Sequence, residues 1–203
     1  MGETKRERRT KRERPGHEVE LLERVARGDK NAFAELYKTY YPRLFGYLLR
    51  MTGRPDVAEE VLDDVMVVVW RKAPQFESRS RVATWIFGIA YRQALRTFRR
   101  RGKRLAETDL DSERLVSNES PERDFDRRQR ARRLRRALRA LPPEQRAVVE
   151  LTYDHGLSYG EIAKIVGCPV GTVKTRMFHA RRKLRRRLPE LETGIEPPGD
   201  GGD

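Results

Sequence analysis

Apolar residues recur along this chain at intervals of three and four, the period of amphipathic helices, and they predict an all-α protein. Val19 to Arg27 reads as a short helix closed by Gly28. Asp29 is placed to cap a longer helix running from Lys30 to about Thr52, bent at Pro42. Its stripe of Phe33, Leu36, Tyr37, Tyr40, Leu44, Phe45 and Leu48 reads as core, not as a platform for stacking bases. Gly53, Arg54 and Pro55 form a turn. Residues 56–73 form the next helix, with Asp56 as its cap and Glu59 at capping-box spacing. Val57, Val61, Leu62, Val65, Val68 and Val69 face inward, and Pro74 ends it. After a polar loop, residues 82–101 are helical, with Val82, Trp85, Ile86, Ile89, Ala90, Ala94, Leu95 and Phe98 as the apolar set.

The pattern resumes at Arg127, where a basic helix to Ala140 turns Leu134, Ala137 and Leu138 inward. Pro143 near the first position opens another, packing through Ala147, Val148, Leu151 and Thr152. Ser158 and Glu161 have the spacing of a capping box, and Ile162, Ala163 and Val166 follow on one face. Gly167, Cys168 and Pro169 break that helix. A last helix starts near Val170 with the stripe Val173, Met177, Ala180, Leu184 and Leu188. Two helices joined by so tight a turn form a helix-turn-helix, whose second helix enters a DNA major groove. Cys168, in the turn, is expected to be a buried packing residue and not a redox switch.

Charge sharpens this picture. From Lys174 to Arg187 the last helix carries eight bases and no acid, where a merely soluble surface would mix both signs. The whole chain of 203 residues has a net charge of +14 and a pI near 10.4. Its partner should be a polyanion, nucleic acid before an anionic membrane. Against that background Glu59, Glu60, Asp63 and Asp64 form an acidic face, which phosphate would repel and a basic protein surface would suit. The loop from Phe76 to Arg81, ahead of a helix bearing Arg92, Gln93 and Arg96, suits single-stranded or partly melted DNA.

Composition divides the chain. Residues 1–16 are a basic arm and 190–203 a tail, both disordered on composition. Residues 104–126, with eight acids against three bases, are a flexible acidic linker between two small helical domains, 17–103 and 127–189. No apolar run is long enough to cross a membrane, and the N-terminus lacks the apolar core of a signal peptide, so the cytoplasm is expected. One cysteine and three scattered histidines (His17, His155, His179) suggest neither a disulfide nor a metal site. No phosphate loop, dinucleotide turn or nucleophile motif is present, so no cofactor and no enzymatic activity are expected.

Taken together, three segments resemble the extracytoplasmic-function sigma factors of bacterial RNA polymerase. AEEVLDDVMVVVWRKAPQF is similar to that family's polymerase-binding segment, SRVATWIFGIAYRQALRTFRR to its −10 segment, and LPPEQRAVVEL with GLSYGEIAKIVGCPVGTVKTRMFHARRKLRRRL to its −35 helix-turn-helix. The resemblance implies core polymerase as partner, through the β′ clamp and the β flap, together with promoter DNA and an anti-sigma factor. It implies polymerase contact or its support at Glu60, Asp63, Asp64, Met66 and Trp70, with Trp70 mainly packing. It implies −10 recognition at Phe76, Glu77, Ser78, Arg79, Ser80, Arg81, Arg92, Gln93 and Arg96. The −35 residues become Thr172 (through its backbone N–H), Lys174, Thr175, Arg176, Phe178, His179 and Arg181. The chain departs from the family pattern at Asp63, Arg92 and Arg96. The rival reading is a stand-alone helix-turn-helix regulator with an N-terminal sensing or dimerisation domain. The acidic face and the basic helix after the polar loop argue against it.

Overall fold

The computed structural model describes residues 15–105 and 123–188, and every regular element among them is helical. The expected arm (1–14), most of the linker (106–122) and the tail fall outside the described residues. The chain divides into two compact units at Arg99 and Arg100.

The first unit holds α1 (Pro15–Ala26), α2 (Lys30–Thr52), α3 (Pro55–Lys72), a 3-10 turn (Ala73–Gln75) and α4 (Val82–Leu105), which runs past the division. Pro15 and Gly16, assigned above to the arm, instead open α1, where proline's fixed φ is favourable. Asp29 caps α2 as expected. One carboxylate oxygen accepts from the N–H groups of Asn31 (2.9 Å) and Ala32 (3.1 Å), the other from Arg24 (2.7 and 2.9 Å). The Ala32 N–H first, then Arg24, hold its pKa below the ordinary carboxylate value. Gly53, at φ 74°, closes the helix with its N–H on the Leu49 carbonyl.

Asp56 is not the cap of α3. Pro55 takes the first helical position, so the cap falls on Arg54, whose side chain makes no capping bond. Asp56 sits in the first turn and pairs with Arg54.

The core of this unit is built from Leu36, Leu44 and Leu48 of α2, Val61, Leu62 and Val65 of α3, and Ile86 and Ala90 of α4, all at most 1% exposed. Each such aliphatic side chain of valine size or larger contributes about 1.5–3 kcal/mol. The aromatic stripe of α2 splits. Tyr40 and Tyr47 are buried, Tyr47 edge-on to Phe87 with centroids 5.5 Å apart. Phe33, Tyr37, Tyr41 and Phe45, by contrast, form a half-exposed ladder at four-residue spacing. The core reading therefore fails for Phe33, Tyr37 and Phe45. In α4, Phe87 and Tyr91 join the core, while Trp85, Leu95 and Phe98 stay half-buried.

The second unit holds α5 (Arg123–Arg139), α6 (Pro143–Tyr153), α7 (Tyr159–Val166) and α8 (Val170–Arg187). Residues 104–105 and 123–126, assigned to the linker, are helical. At 123–126 acidic composition misled because Asp124 and Asp126 also suit the first turn of a helix, while Arg104 and Leu105 continue the basic end of α4. Leu134 is exposed, not inward; among the described side chains of α5 the buried one is Ala137, near its C-terminal end. Arg146 of α6 is 6% exposed and donates to the carbonyls of Leu138, Arg139 and Leu141. The last carbonyls of a helix lack intrahelical donors, and Arg146 supplies them here; the Leu138 carbonyl also accepts from the Leu141 N–H at 3.0 Å. Burial pushes the Arg146 guanidinium down, with Glu150 acting the other way. The capping box is present: the Glu161 N–H donates to Ser158 Oγ, and the Ser158 N–H to Glu161 Oε2 at 3.0 Å. Gly167 is left-handed at φ 68°, and the stripe Val173, Met177, Ala180, Leu184 and Leu188 is buried throughout.

Candidate protein and nucleic-acid interfaces

Three surfaces emerge, two on the first unit and one on the second. On α3, Glu59, Glu60, Asp63 and Asp64 are all exposed. Residues 60, 64 and 67 fall at intervals of four and three, one stripe of the helix. That stripe is Glu60, Asp64 and Val67, and Val67 is 46% exposed. Asp63 accepts a bond from the Tyr37 hydroxyl at 3.3 Å. Burial, then Asp63, raises the Tyr37 pKa above its ordinary value, so the phenol stays protonated. Trp70 is half-buried and meets Phe33 edge-on at 5.1 Å.

The second surface is the loop before α4 and the adjoining helix. Phe76 packs on Trp85, centroids 5.3 Å apart, which seats the loop on the first turn of α4. Residues 81, 85, 92 and 96 share one helical stripe, so Arg81, Trp85, Arg92 and Arg96 line up behind the loop. Gln93 lies one position round, half-buried at the edge of the core stripe. Within the loop Glu77 and Arg79 form an exposed ion pair at 2.6 Å. Ser78 between them has φ 54°, a left-handed conformation rare for a residue with a side chain. Such strain collects at functional loops.

The third surface is α8. Lys174, Phe178, Arg181 and Arg185 follow one stripe at intervals of four, three and four, about 100° round from the buried one. Phe178 is 62% exposed, which is unusual for so large an apolar ring. Its ring lies 5.5 Å from that of His179. Among the described residues no group of acids, histidines and cysteine could hold a metal ion, and no helix is long and apolar enough to cross a membrane.

Known proteins are similar to this chain in sequence and fold. The family model for Sigma-70 region 2 matches residues 36–104, and that for Sigma-70, region 4, matches residues 131–184. An RNA polymerase sigma-H factor of Pseudomonas aeruginosa is 32% identical over 181 residues, covering 85% of this chain and 94% of its own. The chain belongs to the extracytoplasmic-function sigma factors of RNA polymerase. An ECF sigma factor RpoE of Cereibacter sphaeroides is 35% identical over 165 residues, 79% of this chain and 88% of that one. Among solved structures, the sigma factor RpoE of Bartonella quintana, crystallised with the anti-sigma factor NepR, matches with a TM-score of 0.65 at 25% identity. It covers 79% of this chain and 98% of its own. CnrH, solved with the cytosolic domain of CnrY, shares the fold at a TM-score of 0.65 and 22% identity, over 86% of this chain and 99% of its own. As a sigma factor the chain acts in transcription initiation, directing RNA polymerase to promoters, and the stand-alone regulator is not favoured.

The sigma-factor residues expected from sequence meet the structure unevenly. Glu60, Asp63 and Asp64 are exposed together, but Met66 is 2% exposed and belongs to the core. The exposed apolar residue on that stripe is Val67, which the sequence reading passed over. In the run Val65 to Val69, every residue is apolar, so composition leaves the helix phase ambiguous; only the i, i+4, i+7 register from Glu60 picks out Val67. Phe76 is half-buried against Trp85 and is not a free ring. On α8, the Thr172 N–H donates to the Pro169 carbonyl at 2.9 Å and has no proton for a phosphate. The N–H groups without an intrahelical acceptor are those of Val170 and Gly171, the first two helical positions. The Thr175 hydroxyl donates back to the Gly171 carbonyl at 3.0 Å. Arg176 Nη1 lies 3.7 Å from the sulfur of Cys168, which is half-buried and not enclosed as expected. Lys174, Thr175 and Phe178 are exposed, and Thr172, Arg176, His179 and Arg181 are half-buried.

Proposed function

We propose that this sigma factor holds core polymerase through Glu60, Asp63, Asp64 and Val67 of α3. It opens and reads the −10 element with residues 76–81 and the Arg92 and Arg96 face of α4, with Gln93 beside it. The upstream −35 duplex is read by Lys174, Arg176, Phe178, His179 and Arg181, with Trp70 supporting α3 from behind. The observation that carries the reading is a cluster of four exposed acids, Glu59, Glu60, Asp63 and Asp64, on a chain of net charge +14. A DNA-facing surface gains nothing from it, whereas a basic polymerase surface such as the β′ clamp does. In the same reading the helices α1–α4 and α5–α8 make the two working domains, and the segment between them joins contacts made at two promoter elements. The polymerase supplies the chemistry, and the sigma factor works in the cytoplasm. Capture of −10 bases offsets unpairing, which costs a few kcal/mol per base. The relative crystallised with an anti-sigma factor supports the same kind of regulation here.

Co-purification with core polymerase tests it. The wild-type chain should be retained, and Asp64→Arg should lose about a hundredfold or more in affinity with an unchanged melting temperature, because a like charge faces the partner. Retention of Asp64→Arg at wild-type strength would remove the assignment.

A further inference from the structure

Tyr153 ends α6, and its ring is 44% exposed. Nothing in its local sequence marks it, yet it meets Arg181 of α8 across 28 residues of chain. Arg181 Nη2 donates to the Tyr153 hydroxyl oxygen at 2.7 Å, and the guanidinium carbon stands 5.9 Å from the ring centroid.

We propose that Tyr153 and Arg181 form a clamp for one backbone phosphate of the upstream duplex. The inference rests on the reading of α8 as the −35 recognition helix and adds to it a residue outside the helix-turn-helix. The direction of the bond is the key. Arg181 donates, so the phenol oxygen is the acceptor and its own O–H proton is left to give. Among the described residues it has no other partner. A phosphate oxygen is the natural acceptor for a phenol proton next to an arginine. Arg181 is also held without being neutralised. A carboxylate partner would cancel its charge, whereas a phenol orients the guanidinium and leaves the charge intact. No acid occurs between Lys174 and Arg187, and the Arg181 Nε is buried with no hydrogen-bond partner.

The location agrees. Arg181 lies eleven residues beyond Val170, about 16 Å along the helix axis. Recognition helices read base edges with their first turns. That far along, the stripe begun by Lys174 and Phe178 has left the bases and reaches the sugar–phosphate backbone. The pair thus positions the helix in the groove, and base choice stays with the residues ahead of it.

The test uses the full chain bound to core polymerase and a duplex recovered by that complex from a randomised pool. Backbone phosphates of the upstream half are replaced singly by neutral methylphosphonates. Tyr153→Phe keeps the ring and removes only the hydroxyl. It should weaken binding about tenfold, the usual loss for a hydrogen bond to a charged group. Arg181→Ala should lower the slope of log K against log salt by about 0.9, one phosphate's worth, and Tyr153→Phe should leave that slope unchanged. One methylphosphonate position should weaken the wild type while leaving both variants indifferent. If Tyr153→Phe binds like wild type, or weakens binding with no such shared position, the clamp is overturned. Lys174→Ala separates the two levels. If it weakens binding while Tyr153→Phe does not, the recognition helix stands and the clamp falls; if Lys174→Ala and Arg181→Ala are both silent, the recognition helix itself is misassigned.

Discussion

At the scale of single residues, buried polar groups decide more than their number suggests. Arg146 spans the end of α5 and the start of α6 by giving its protons to three carbonyls. Arg146→Met keeps the stem but leaves those acceptors in a dry site. It should destabilise the second unit by about 2–4 kcal/mol, read as a lower denaturant midpoint, and Arg146→Lys should rescue it only in part because one ammonium cannot reach three carbonyls. Asp29 gives a pH signature. Its folded pKa is lowered by the Ala32 N–H and Arg24, below an unfolded value near 3.8. Its contribution is therefore present above that unfolded value and is lost as the pH falls through the lower, folded one. Asp29→Asn, which keeps a capping oxygen but not the charge, should flatten the acid limb of the stability–pH curve by lowering the melting temperature at neutral pH while leaving it little changed at low pH.

At the scale of elements, local spacing decides what the sequence makes legible. The Ser158–Glu161 box, the Asp29 cap and the buried stripe of α8 are legible because each is set by spacing within two or three turns. Errors fall where a competing local rule or a distant partner decides. Pro55 claims the helix start and displaces Asp56. The apolar run around Val65 hides which residue faces out, so Met66 and Val67 exchange places. The aromatic stripe of α2 is too wide for one face, and its outer half becomes a ladder. Tyr153 is invisible in sequence because its partner is 28 residues away. A prediction belongs to α3 as a whole. Val67→Ala, on a half-exposed position, should leave stability unchanged and weaken core-polymerase binding about fivefold, from the loss of two buried methyl groups at the interface. An unchanged affinity would confine the contact to the carboxylates.

Across the whole molecule, the division at Arg99 and Arg100 separates the acidic face of α3 from the basic helix α8. The two surfaces have opposite charge, and each unit has its own buried core. A fragment ending at residue 105 should therefore fold, retain core-polymerase binding and lose dependence on the upstream element. Its failure to bind would place part of the polymerase contact in the second unit. The two-domain organisation was legible from composition because acids collect between two basic, periodic segments. Its exact borders were not, since the ends of α4 and α5 extend into residues that composition assigned to the connector. The central claim is that one chain supplies polymerase retention, −10 opening and −35 anchoring together. Transcript mapping with purified chain and core polymerase, on templates drawn from a genomic library, tests it most directly. Discrete start sites that require the chain and vanish with Asp64→Arg are expected. Binding of the chain to duplex without polymerase, with no chain-dependent starts, would contradict it.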